Sequence, residues 1–338
     1  MGCGKGSSYR IRSDERYDNM NIGNREIEHK QVLLQYGVTA LVILFAATVL
    51  SQLVDVTTVR EVIETIRSVP YVIAIGLFYV TFPLRAIRWR WLLANVNVDA
   101  DRNSATFLLL LNWFLNTILP AKVGDVHRSF VGSREYETSV ATVLGTIVTE
   151  RALDLSVLAV GVVLAMGLVV EEFSSAQQQV VWLAFGLLFL IGGVIVTIVF
   201  LRPSLLPEVV QPLLADFRRG ITSIRTPRDS IAMLGLTVVI WGLNVVRMGM
   251  VGVAIGFQID IALLVLTALL VAFLSGLPYT PAGLGVVELI TTTVLIQAGI
   301  SESLGFSFIL FDRIITVGTL VLVGSVAYLY FKFVRRRR

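Results

Sequence analysis

Several apolar runs in this chain reach the ~20 residues a helix needs to cross ~30 Å of hydrocarbon. That length constrains everything else about the fold. Inside a bilayer the backbone polar groups must find partners within the protein, so only helices and closed barrels span it. No period-two pattern of ~10-residue segments points to a barrel. The composition agrees: 55% of the 338 residues are hydrophobic and only 15% are charged, against roughly 25% in a soluble domain. Mean hydropathy is +0.79. The expectation is an all-α polytopic membrane protein, with one membrane domain over 32–334 and no soluble catalytic domain.

Taken in order, residues 1–31 are polar and mixed in charge and read as a cytoplasmic tail. MGCGKGSS does not fit the myristoylation pattern, because Gly6 stands where Ser or Thr is wanted. No apolar h-region follows directly, as a signal peptide would require. Val32–Val54 reads as a first span and Asp55–Val69 as an interfacial amphipathic helix. Pro70–Leu93 is a second span. It ends in RAIRWRWLL, where Arg85, Arg88 and Arg90 alternate with Trp89 and Trp91. Such a mixture marks a cytoplasmic interface, and it could also hold a lipid phosphate. Further spans follow at Thr138–Val170, Gln178–Leu201, Ser230–Gly256 and Leu304–Val334. Arg335–Arg338 form a basic cytoplasmic end.

Two apolar segments are too short to cross and are broken by Pro and Gly. Ser104–Leu119 runs into LPAKVGDVHR (Leu119–Arg128), and Ile261–Leu277 runs into PYTPAGLGVVE (Pro278–Glu288). Charge decides how they lie. The positive-inside rule puts the arginine-rich 202–228 loop and the C-terminus in the cytoplasm, and the Lys/Arg-free turns at Glu171–Gln178 and Phe257–Asp260 outside. If Ser104–Leu119 crossed fully, those assignments would invert. If it dips in and returns, every later loop falls on its preferred side. The expected architecture is therefore six full spans plus two re-entrant broken-helix hairpins of opposite entry, with both termini cytoplasmic.

The two breaks share the skeleton P-A-x-x-G-x-V, with Pro120 over Pro281 and Gly124 over Gly285; Gly283 adds a further break. From Pro120 to Glu150 is 30 residues, and from Pro281 to Asp312 is 31. Each break is thus followed at matched spacing by an acid–arginine pair, Glu150-Arg151 or Asp312-Arg313. An inverted repeat accounts for this, and inverted repeats with broken helices at mid-membrane are a transporter architecture.

An ionisable group inside a span is costly and is a functional candidate by default. The candidates for substrate contact are Lys122, Asp125 and Arg128 at the first break, Glu150, Arg151 and Asp154 in the next span, and Glu288, Asp312 and Arg313 in the second half. Glu150 and Asp154 are spaced i, i+4 and can approach one guanidinium. An ion-pair network that locks the bundle explains these charges as well as a substrate or proton role does. Glu288 suits a helix N-terminus. Asn112, Asn116, Asn244 and Arg247 are secondary candidates for which interhelical hydrogen bonds are an equal explanation.

Other chemistries find little support. The net charge is +4 and the pI about 9.3, but the basic residues sit at membrane flanks, so no nucleic-acid partner is expected. Cys3 is the single cysteine, and His29 and His127 are the only histidines. Neither a Cys-cluster nor a His-based metal site is expected, and no cofactor is. GxSxG, Walker and DxD-like motifs are missing. Asp125 with His127 could form an acid–base pair, but no nucleophile accompanies it.

The combination LPAKVGDVHR, VTERALDL, PAGLGVVE and a last span carrying Asp312-Arg313 resembles the lysylphosphatidylglycerol synthase transmembrane (flippase-like) family, the membrane half of the multiple peptide resistance factor. The resemblance runs from about Val32 to Val334. It implies translocation of a phospholipid, an aminoacylated phospholipid or a polyprenyl-phosphate-linked sugar between leaflets of the cell membrane. Its soluble transferase domain has no counterpart in these residues, so lysyl transfer is not expected. The alternative is a membrane subunit that presents or anchors lipid for a separate aminoacyl- or glycosyltransferase.

Overall fold

A computed structural model of the chain describes residues 64, 66–120, 122–169, 226–277 and 280–333. The tail, the first expected span, most of the expected interfacial helix, the span at Gln178–Leu201, the arginines at 202–225 and the basic end lie outside the described residues.

Among the described residues the regular structure is helical throughout. The helices are α1 (Ser68–Asn95), α2 (Arg102–Ile118), α3 (Val123–Glu135), α4 (Val140–Val169), α5 (Pro227–Ala254), α6 (Ile261–Gly276), α7 (Val286–Gln297), α8 (Glu302–Arg313) and α9 (Leu320–Phe333). A π-helical turn, Ile314–Thr319, joins α8 to α9, making one helix from Glu302 to Phe333. Among the described residues four helices are long and apolar enough to cross a membrane: α1, α4, α5 and this last one. They coincide with four of the six expected spans. The protein is a polytopic α-helical membrane protein.

Local chemistry sets the ends. The Asp101 carboxylate accepts the Ser104 backbone N–H (2.9 Å) and starts α2. Thr226 accepts from Asp229 N–H (3.1 Å), with Pro227 at the first position of α5. Asp260 caps α6 through the N–H of Ala262 (2.8 Å). Each satisfies backbone donors that a helix start leaves unpaired.

Both expected breaks are present. α2 ends at Ile118, before Pro120, and α3 restarts at Val123 after Lys122, which lies in the left-handed region (φ 55°, ψ 39°). α6 ends at Gly276, a 3₁₀ turn occupies Pro281–Gly283, and α7 restarts after Gly285 (φ 85°). Gly283 (φ 72°) and Ala282 (φ 51°) also take positive φ. Glycine adopts this without strain, whereas Lys122 and Ala282 do so at a cost that their surroundings must offset. Gly124 serves a different purpose. A Cβ there would lie 2.2 Å from the Asn112 carbonyl oxygen and 2.7 Å from Asn116 Oδ1. Hydrogen at that position lets the two limbs of the first break close on each other.

α1 is the hub. Its face of Ala74, Phe78 and Phe82 joins Leu158 and Val162 of α4, Met248 and Val251 of α5, and Phe308 of α8 in one buried cluster. Lipid tails are as apolar as these side chains, so burial alone gives little drive to helix association within a bilayer. Close packing and buried polar pairs must hold the helices together, and the breaks carry a dense set of such pairs.

Candidate functional site

The two breaks meet around a cavity of about 310 Å³. Four basic side chains line it, Lys122, Arg151, Arg247 and Arg313, together with two carboxylates, Asp125 and Asp154. Trp113, Trp241 and Phe78 supply aromatic wall, and Leu155, Leu158 and Val271 supply apolar wall. A charged lining beside apolar walls suits a polar headgroup attached to hydrocarbon.

Each break is clamped by an arginine from the span that follows it. Asp125 is the third residue of α3. Its carboxylate accepts Arg151 Nη2–H (2.9 Å) and Nε–H (3.2 Å) and the Asn116 amide (3.1 Å). Glu288 is the third residue of α7. It accepts Arg313 Nε–H (2.7 Å) at one oxygen and the Gly285 backbone N–H (2.6 Å) at the other. The carboxylate–arginine separations in sequence are 26 and 25 residues. Acidic groups in a first turn also complement the helix dipole. Arg313 further donates to the Ala282 carbonyl (2.5 Å), fixing the left-handed turn, and to Ser275 Oγ (3.2 Å).

Further buried ion pairs lie one layer back. Arg88 of α1 donates to both oxygens of Asp154 (2.7 and 3.0 Å) and to Thr237 Oγ1 (2.7 Å), and lies 3.5 Å from Glu150. Arg247 of α5 pairs with Asp312. The Trp241 indole also donates to Asp154 (3.1 Å). Arg85 sits between the faces of Trp113 (4.5 Å) and Trp241 (4.8 Å), and 3.7 Å from Asp154.

The expected site residues divide accordingly. Lys122, Asp125, Arg151, Asp154 and Arg313 share the cavity wall. Arg128 and Glu150 instead pair with each other, with the Arg128 guanidinium over Trp89 (4.3 Å). Glu288 and Asp312 stand behind the wall, holding Arg313 and Arg247. Asp312 and Arg313 are sequence neighbours, but about 100° apart around a helix, so each finds its own partner. His127 faces the Phe331 ring (6.2 Å) rather than Asp125.

One expectation is overturned. Arg85, Arg88 and Trp89 are buried (3%, 1% and 0% exposed) rather than anchoring an interface. They lie on the same face of α1 as Phe78 and Phe82, which points inward. That register is the signal in the sequence that could have found them. Ser275, Trp113 and Trp241 carried no motif at all. Among the described residues no three His, Cys, Asp or Glu side chains gather as metal ligands would.

Residues 32–324 match the family described as Lysylphosphatidylglycerol synthase TM region. A UPF0104 membrane protein of Methanocaldococcus jannaschii is 24% identical over 64% of this chain and 93% of its own length. Others from Methanothermobacter thermautotrophicus (21% identical, 90% of this chain, 96% of the relative) and Pyrococcus horikoshii (20%, 76% and 85%) are also similar. No solved structure matches.

Proposed function

Because the chain belongs to the lysylphosphatidylglycerol synthase TM region family, we propose that it moves a lipid between the leaflets of the cell membrane. The headgroup would pass through the charged cavity while the acyl or prenyl chains stay in hydrocarbon. The observation that carries this reading is the cavity itself. It has four basic side chains on its wall, and two helix breaks meet at it. At about 310 Å³ it lies at the small end of ligand pockets, with room for a headgroup and not for a whole lipid.

The two matched clamps support an inverted repeat, in which the first break enters from the cytoplasm and the second from outside. Irregular backbone at membrane depth is tolerated where it is covered by protein or lines a wet cavity, and both breaks fit that condition. In this reading a phosphate group competes with Asp125 for Arg151, or with Glu288 for Arg313. The fork geometry of arginine suits either oxyanion. Exchange of partner would loosen one clamp at a time.

The test is reconstitution of the purified protein into liposomes containing a headgroup-labelled phospholipid, with a membrane-impermeant quencher added outside. Inner-leaflet label becoming quenchable supports transport. Lipid that binds but never changes leaflet supports the presenting-subunit reading instead.

A further inference from the structure

Among the described residues, five arginines in and behind the cavity wall each have a carboxylate: Arg88 with Asp154, Arg128 with Glu150, Arg151 with Asp125, Arg247 with Asp312 and Arg313 with Glu288. Of the cations there, Arg85 and Lys122 are left without one of their own. Arg85 is accommodated between two indole faces, an arrangement that stabilises a desolvated cation, with Asp154 nearby. Lys122 has no ring face against it, and Asp125, the carboxylate that shares its wall and acts on it, is bonded to Arg151. Its Nζ donates to the Ser275 carbonyl (2.7 Å), a neutral acceptor, and an ammonium has two further donors. The side chain lines the cavity. Arg313 donates to the hydroxyl of the same serine (3.2 Å). A lysine from one break and an arginine from the other thus converge at the C-terminal end of α6.

We infer that this point is a phosphate subsite, and that the ligand is a phosphate ester whose remaining headgroup carries no ammonium. The inference rests on the lipid-translocation reading and narrows its substrate class. An ammonium with no bonded carboxylate in a low-dielectric site is expensive, and a phosphate seated between Lys122 and Arg313 supplies a direct counter-charge. An aminoacylated headgroup would bring its own cation onto a wall of four. Only two carboxylates stand on that wall against the four cations, and both are bound to guanidinium groups, so the charge balance there favours an anion over a second ammonium.

The experiment measures binding to the purified full chain in detergent. The probes are dihexanoyl phosphatidylglycerol, its lysyl ester, dihexanoyl phosphatidylethanolamine and glycerol phosphate. Phosphatidylglycerol is expected to bind tenfold or more tightly than either ammonium-bearing lipid. Lys122→Gln should weaken it by tenfold or more, and Lys122→Arg by less than threefold. Glycerol phosphate competing as well as the lipid would identify a free phosphate ester as sufficient; competition by lipid alone would assign the site to a headgroup still on its chains.

Equal binding of the lysyl ester overturns the inference, as does unchanged affinity in a folded Lys122→Gln. If that variant does not fold, the headgroup comparison on the parent protein decides. Leaflet exchange is followed separately in liposomes. Exchange with no headgroup preference overturns the subsite alone, and no exchange of any lipid overturns the reading beneath it.

Discussion

Arg88 and Asp154 offer a way to separate locking from cargo handling. The pair is bidentate, at 2.7 and 3.0 Å, with side chains 1% and 5% exposed. Breaking such a pair by deleting one partner costs about 3–5 kcal/mol, because the other charge is left buried. The two single variants should not be equal. After Arg88→Met, Asp154 keeps the Trp241 N–H at 3.1 Å, Arg85 at 3.7 Å and Arg151 at 3.9 Å. That variant belongs near the lower figure. After Asp154→Leu, Arg88 keeps only Thr237 at 2.7 Å and Glu150 at 3.5 Å, Arg85 loses its nearest anion, and the indole N–H loses its acceptor. That variant belongs near the upper figure. The double variant Arg88→Met/Asp154→Leu removes both charges and should recover part of the loss, giving a coupling of about 2 kcal/mol or more, within the range for residues in contact. Unfolding of the purified protein by denaturing detergent, on all four proteins, reads these differences. Single effects under about 1 kcal/mol that simply add would refute the pair as a lock.

Gly124→Ala places a methyl 2.2 Å from the Asn112 carbonyl and should cost about 1–3 kcal/mol as overpacking. Gly76→Ala, with nothing within 4 Å, should be neutral or slightly stabilising by up to about 1 kcal/mol; the same unfolding assay compares them. Trp241→Phe keeps an aromatic face toward Arg85 but removes the donor to Asp154 and trims the ring, and should cost at least about 1 kcal/mol. The Asp101 carboxyl is held below the ordinary carboxylate range by the Ser104 N–H it accepts. A depressed folded-state pKa contributes stability above the unfolded value that is lost as pH falls through the folded one. Asp101→Asn should therefore flatten the acid side of a melting-temperature profile against pH.

Much of this was legible in the sequence, because the relevant signals are local. Apolar run length located α1, α4, α5 and the α8–α9 helix. Pro120, Pro281 and the nearby glycines located the breaks. The matched spacing from each break to its acid–arginine pair was legible too, but not that Arg151 would meet Asp125 and Arg313 would meet Glu288. What was illegible depends on side-chain direction. Arg85 and Arg88 stand near tryptophans at the end of an apolar run, a composition shared by a membrane interface and a buried pair; only the inward face of α1 distinguishes them. Asp312-Arg313 read as one unit because adjacency in sequence does not display rotation around a helix. The contact of Lys122 with Ser275 spans 153 residues, and a backbone carbonyl as acceptor leaves no mark in any sequence.

We propose that a lipid headgroup crosses through the cavity between the two breaks. It is tested most directly by leaflet exchange of labelled phosphatidylglycerol in liposomes bearing the parent protein or Arg313→Gln, each shown to be folded by its unfolding midpoint. Exchange with the parent should run well above that of protein-free vesicles, and at least tenfold slower with Arg313→Gln. Parent vesicles indistinguishable from protein-free ones, or a folded Arg313→Gln exchanging at the parent rate, would contradict it.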